Sequence, residues 1–186
     1  MQIEQTALPG VVILTPQRFG DARGWFTETW NAERMAEAGL GLAFVQDNHS
    51  FSAQQGTLRG LHYQSPPRAQ DKLIRCTRGT IRDVAVDGRH GSPTYGKWVA
   101  VDLSAENGRQ LLVPKGFLHG FVTLTPDCEV QYKCTDTYAP AHDGAVRWDS
   151  VGVDWGLSGD PVLSAKDAAA PAFADWQSPF VWESAE

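Results

Sequence analysis

Cys128-Glu-Val-Gln-Tyr-Lys-Cys134 is the stretch that decides the architecture. Cys128, Val130, Tyr132 and Cys134 fall on one side and Glu129, Gln131 and Lys133 on the other, the two-residue period of a strand with one face in a core. Tyr132 is therefore expected to point inward. Short stretches of the same kind recur in both directions, punctuated by Gly, Pro, Asn or Asp, at residues 11–15, 25–30, 43–50, 57–64, 72–77, 80–87, 97–103, 109–113, 119–124 and 128–135. Strands so short, with little helix between them, predict an all-β fold, an antiparallel sandwich or barrel. One helix fits: Asn31 caps it, residues 32–38 form it and Gly39 ends it. Beyond Asp149, Trp, Pro and Ala read as loops and short helices packed over the sheet.

Composition narrows the class. A chain of 186 residues, 42% hydrophobic and 20% charged, fits one globular domain spanning 1–186. Seven Trp and eight Phe point to a deep aromatic core or to a site that stacks on a flat ligand. A net charge of −6 argues against a sequence-independent nucleic-acid binder, which needs a basic face. A small anionic ligand remains compatible, because a few local Arg and Lys outweigh the global sign. No basic, apolar leader follows Met1 and no stretch approaches the roughly 18 apolar residues of a membrane span, so the expected location is the cytoplasm, without membrane attachment. The three cysteines show no metal-binding spacing. Cys128 and Cys134 on one strand would stand ~20 Å apart, too far for a disulfide, which fits reduced thiols.

Alternation also sorts the candidate chemistry. In Leu58-Arg-Gly-Leu-His-Tyr-Gln64, His62 shares a face with Leu58 and Gln64; in Lys72-Leu-Ile-Arg-Cys76, Lys72 shares one with Ile74 and Cys76. A lysine on an apolar strand face needs a partner or a ligand. Strict alternation puts Arg59 opposite His62. Either a bulge at Gly60 re-aims it or Arg59 serves a neighbouring subunit. His62 and His119 each sit on a strand, as hydrogen-bonded core residues or as members of a site. Cupin-type metal barrels use His-x-His with a nearby Glu; here the segment reads His62-Tyr-Gln64, so no metal is expected. Asp167 in Leu163-Ser-Ala-Lys-Asp167 can orient a histidine and stabilise its protonated form, or simply lie in the first turn of a helix capped by Ser164. Arg23, Glu28, Asn48, Arg59 and Lys72, if clustered, can hold a diphosphate and sugar hydroxyls by charge-assisted bonds. Neither a Gly-rich phosphate loop nor a Gly-x-Ser-x-Gly elbow is present.

Taken in order, nine segments resemble the dTDP-4-dehydrorhamnose 3,5-epimerase family. They are residues 21–28, 45–52, 58–64, 70–73, 83–89, 91–94, 114–121, 132–138 and 163–167, and in this order the resemblance spans nearly the whole chain. The resemblance implies a cupin-like jelly-roll barrel, a homodimer that exchanges an edge strand, and an enzyme without metal or cofactor. It implies that His62 is the base with Asp167 as its partner, that Tyr132 is the acid, and that Lys72 lies beside the ketone oxygen of a dTDP-linked keto-sugar. Arg23, Glu28, Gln46, Asn48, Arg59, His119 and Lys166 would bind the nucleotide-sugar, and Tyr138 would stack on the thymine. Asp143 stands where the family more often has Glu, which shortens one nucleotide contact by a methylene. The chemistry suits these residue types. Hydrogens beside a ketone are acidic because the carbanion delocalises into an enolate, a neutral His (~6.5) and a protonated Tyr (~10) are both in working form near neutral pH, and the ketone arrives with the substrate. Two rivals share the same residues: an epimerase that inverts a single carbon of a related keto-deoxysugar, and a non-catalytic nucleotide-sugar-binding barrel.

Overall fold

The computed structural model describes residues 1–183. Its strands are β1 (Gln2–Gln5), β2 (Val12–Thr15), β3 (Arg18–Asp21), β4 (Gly24–Thr27), β5 (Gln46–Ser52), β6 (Leu58–Gln64), β7 (Lys72–Arg78), β8 (Thr80–Asp87), β9 (Trp98–Ser104), β10 (Gln110–Val113), β11 (Phe117–Thr123), β12 (Cys128–Cys134) and β13 (Asp143–Ala145). The helices are α1 (Ala32–Glu37) and α2 (Ala165–Ala168). A six-stranded sheet runs β1-β2-β10-β7-β12-β5, a five-stranded sheet runs β13-β6-β11-β8-β9, and β3-β4 form a separate hairpin. All strand pairs are antiparallel.

The alternation read from the sequence explains how these sheets stack. Ile74 and Cys76 of β7, Leu111 of β10 and Val130 of β12 meet Ile81 and Ala85 of β8, Leu103 of β9 and Phe121 of β11 in one buried cluster between the sheets. Each fully buried Leu or Ile contributes about 1.5–3 kcal/mol relative to exposure. The result is a cupin-like jelly-roll barrel. Its outer faces are covered as well. Leu73, Leu14 and Leu112 lie under Met35 of α1, while Leu118, Val122 and Val84 lie under Trp155, Trp176 and Phe180 of the C-terminal third. The abundant aromatics thus serve mainly the second of these layers.

The helix expectation holds closely: the Asn31 side chain accepts from the Arg34 amide, and Gly39, at φ +79°, leaves the helix in the left-handed region. Residues 25–30 do not form a barrel strand. Gly24–Thr27 pairs instead with Arg18–Asp21, leaving Phe19, Trp25 and Phe26 56%, 58% and 69% exposed. The strand expected at 43–50 begins and ends later, at Gln46–Ser52. The polar strand β1 and the three-residue β13 carry too little apolar pattern to be seen in advance.

One local departure positions the site. Along β6 and β11, His119 pairs with His62 but Phe121 pairs with Arg59, so β6 holds one extra residue in that interval. This is a bulge at Gly60–Leu61, and it reverses the parity of β6. Leu58 consequently packs outward with Leu61, and His62 does not share its face. Arg59, His62 and Gln64 turn toward the barrel interior. Only glycine fits here. Gly60 has φ +136°, and a Cβ would lie 2.6 Å from the Gly120 Cα of β11.

Candidate active site

The barrel opens into a cavity with two lobes, of ≈ 400 Å³ and ≈ 340 Å³. They share His62, Lys72, Tyr132 and Lys166 in their walls. Arg59, His119 and Asp167 line the first lobe; Gln46, Asn48, Tyr138 and Asp143 line the second. A smaller depression of ≈ 270 Å³ runs along Asp47, His49, Arg75 and Lys133 and contains neither histidine–aspartate pair described below.

His62 stands on the five-stranded sheet. Its Nε2 lies 2.5 Å from Asp167 Oδ1, a contact that joins β6 to the C-terminal segment. Asp167 is held from its own side: Ser164 caps α2, donates from Oγ to Asp167 Oδ2 at 2.9 Å and accepts from the Asp167 amide at 3.1 Å. So both readings of this segment hold at once, as helix start and as partner of a histidine. Burial pushes the Asp167 carboxyl up, but the His62 and Ser164 hydrogen bonds outweigh it and leave the value below the usual carboxylate range. The aspartate is ionised at neutral pH. With Nε2 directed at that carboxylate, Nδ1 is the ring nitrogen available to take a proton.

Tyr132 and Lys72 stand on the opposite, six-stranded sheet, in β12 and β7. Tyr132 packs on the core cluster with its inward neighbours, as its strand pattern requires. Burial, seconded by Cys134, raises its hydroxyl above the ordinary tyrosine value, so it is a neutral phenol well beyond neutral pH. Lys72 is half-buried, and desolvation lowers its ammonium value. The arrangement sets a histidine on one wall against a neutral tyrosine and a lysine on the other.

The mouth of the second lobe is a connected polar set. Asp143 of β13 accepts from Tyr138 Oη at 3.1 Å and forms an ion pair with Lys166 of α2. Gln46 accepts from the Tyr138 amide at 2.8 Å and donates to Asn48 at 3.1 Å. Arg59 reaches from β6 to Ser52 and the Phe51 carbonyl of β5, tying the two sheets at the rim. Gln64, in the place of a second cupin histidine, is engaged at both ends, accepting from the Ala139 amide at 2.9 Å and donating to the Thr137 carbonyl at 3.1 Å. Among the described residues no group of three or more His, Cys, Asp or Glu has the spacing to hold a metal ion.

Two expected site residues stand apart from this cavity. Arg23 is bound to Asp21 on the β3–β4 hairpin at 2.5 Å, and Glu28 pairs with Arg34 at 2.9 Å and accepts from Asn31 at 3.2 Å. Ser164, Cys134 and Asp83 are the additions that sequence reasoning missed. Asp83 is fully buried and binds His119 Nε2 at 2.8 Å. The signal was available, because Ile81, Asp83 and Ala85 share the apolar face of β8 just as Lys72, Ile74 and Cys76 share that of β7.

A histidine–aspartate pair facing a tyrosine across the interior of a jelly-roll barrel defines a class, the acid–base enzymes built on a cupin-like scaffold. Within it the chain belongs to the dTDP-4-dehydrorhamnose 3,5-epimerase family, whose model matches residues 5–175. It is 52% identical over 174 residues to the dTDP-4-dehydrorhamnose 3,5-epimerase of Salmonella typhimurium, covering 92% of this chain and 94% of that one. The dTDP-6-deoxy-D-glucose-3,5-epimerase of Legionella pneumophila, solved in complex with dTDP-4-keto-L-rhamnose, superimposes with a TM-score of 0.93 at 43% identity, covering 99% of both chains. A 3'-monoepimerase from Streptomyces bikiniensis, solved with dTDP-quinovose, gives 0.86 at 34% identity, covering 91% of this chain and 86% of the other.

Proposed function

We propose that His62, Asp167, Tyr132 and Lys72 divide the proton transfers of this epimerase among them. The reaction is the inversion of the two carbons flanking the ketone of dTDP-4-dehydro-6-deoxy-D-glucose, which yields dTDP-4-dehydro-L-rhamnose on the way to dTDP-L-rhamnose. His62 removes the proton from a carbon beside the ketone, and the electron pair moves onto the carbonyl oxygen. Asp167 stabilises the imidazolium that forms. Lys72 stabilises the enolate oxygen, an effect typically worth ~10²–10³ in rate. Tyr132 then delivers a proton to the other side of the same carbon, and proton exchange with water restores both groups. The observation that carries this reading is the placement of His62 and Tyr132 on facing sheets of one cavity. Similarity is greater to the enzymes that invert two carbons than to the monoepimerase, which favours two inversions.

Arg59, His119, Gln46, Asn48, Tyr138, Asp143 and Lys166 bind the nucleotide-sugar in this reading, with the base against Tyr138. Asp143, shorter than Glu, acts by fixing Lys166 and Tyr138 as well as by any direct contact. Arg23 and Glu28 act in the cavity of a second subunit. The exposed aromatic hairpin that carries Arg23, and the free edge of β1, support a homodimer joined through N-terminal strands. The chain works as one domain in the cytoplasm, without metal or cofactor.

Proton NMR in D₂O with the keto-sugar nucleotide tests the division of labour. His62→Ala is expected to abolish both inversion and deuterium uptake beside the ketone. Tyr132→Phe is expected to lose ~10²–10⁴ in inversion while still taking up deuterium with retained configuration. Exchange surviving in His62→Ala, or vanishing equally in both variants, overturns the assignment.

A further inference from the structure

Asp83 has no role in the reading above, yet it is the most completely buried acid near the cavity, with 0% of its surface exposed. It lies on the inner face of β8 between Ile81 and Ala85. One oxygen accepts from His119 Nε2 at 2.8 Å; the other, Oδ2, is buried without any hydrogen-bond partner. A half-satisfied carboxylate in an apolar interior is costly unless a charge nearby compensates it. Across the barrel on β7, Lys72 makes no side-chain hydrogen bond or ion pair among the described residues. After desolvation, the groups acting on it are Cys134, Asp143 and Asp83, which favour its charge, and Lys166, which opposes it, all through space. A carboxylate and an ammonium that each lack a full partner, in the same low-dielectric interior, hold one another in the ionised form.

We propose that Asp83 is a positioning residue for the epimerisation, the buried counter-charge that keeps Lys72 an ammonium and fixes the ring of His119, so that both cavity-lining residues face the substrate's oxygen in a set state. This rests on the reading of Lys72 as the enolate's cation. The other charged and titratable groups around Lys72 are Asp143 of β13, Lys166 and Asp167 of α2, Cys134 and Tyr132 of β12, and Arg59, His62 and His119 of the five-stranded sheet. Among the acids, Asp143 is taken up by Lys166 and Tyr138 and Asp167 by His62 and Ser164, whereas burial pushes the Asp83 carboxyl up and His119 and Lys72 pull it back down. Desolvation opposes the charged lysine, and Asp83 works against that desolvation. Removing Asp83 therefore lets Lys72 lose its proton at lower pH.

The test is the pH profile of kcat for Asp83→Asn, which keeps the shape and an acceptor for His119 but not the charge. The alkaline limb is expected to move toward neutrality by about one pH unit or more, with kcat reduced about tenfold or more above the new limb and KM little changed. The acid limb is expected to stay in place. In a Lys72→Ala background the same substitution should add little, because its route is gone. An alkaline limb that does not move, or a full additional loss in the double variant, overturns the proposal for Asp83. Lys72→Ala alone retaining wild-type kcat overturns the reading of Lys72 instead. A measurement on the unaltered enzyme guards against a variant that does not fold: NMR of ¹³C-lysine-labelled protein should show Lys72 as an ammonium at pH 7.5, and a neutral amine there overturns the proposal.

Discussion

Lys72 is the residue at which function and stability part most clearly. It shares the inner face of β7 with Ile74 and Cys76, and desolvation works against its charge. Removing this cation ends its own desolvation cost but strands the Asp83 carboxylate, and Asp83, whose value burial already pushes up, limits the loss by taking up a proton. Lys72→Ala is expected to lower kcat by ~10²–10³ while the melting temperature stays within a few degrees of wild type. Thermal melting followed by circular dichroism, alongside product NMR, separates the two. A collapsed melting temperature with surviving turnover would assign Lys72 to the fold. Cys76, its neighbour on the same face, shows the other outcome of burial: an apolar setting raises its thiol to about 11, leaving it a packing residue without reactivity.

At the scale of elements, the bulge in β6 controls which side chains enter the cavity. Gly60→Ala adds a methyl at a left-handed φ and against the backbone of β11, and the neighbouring Gly120 leaves no slack because its own Cβ position is 2.9 Å from the Arg59 carbonyl. The substitution is expected to destabilise the fold by about 2–4 kcal/mol and to depress activity in whatever folds. Urea midpoints and turnover of the soluble fraction read the two effects. The same element shows what a sequence reveals and what it withholds. Alternation uninterrupted over 130–134 of β12 and 72–76 of β7 is enough to turn Tyr132 and Lys72 inward, because the one register shift between these strands falls beyond it, at Glu129 and Arg78. In β6 parity breaks, so Leu58 was placed on the wrong face and Arg59 was left with two possible destinations. The partnership of His62 with Asp167 could not be read from spacing, since 105 residues and a change of direction separate them. It entered by resemblance and met its geometry only in the fold. Asp83 is legible by the feature that singles out Lys72, a charged residue between apolar ones on a strand face.

For the whole molecule, the placement of its cations bears on both the sign of the charge and the second subunit. A chain of net charge −6 that takes an anionic nucleotide-sugar needs its cations gathered, and Arg59, Lys72 and Lys166 supply this within one chain. Arg23 lies outside that group on the exposed hairpin. Light scattering at micromolar concentration is expected to give twice the chain mass of 20.4 kDa, and a monomer would remove the second-subunit role of Arg23 and Glu28. A last consequence follows from the cluster between the two sheets. Because the proposed proton acceptor rides on one sheet and the proposed donor on the other, the gap that a sugar ring must fit, set by stacked sheets about 10 Å apart, is calibrated by Ile74, Ile81, Ala85 and Phe121. Those side chains touch no proton in flight, yet they act as shims: thinning or thickening one retunes the reach of both catalytic groups at once, so the grease of the barrel is also the gauge of its stereochemistry.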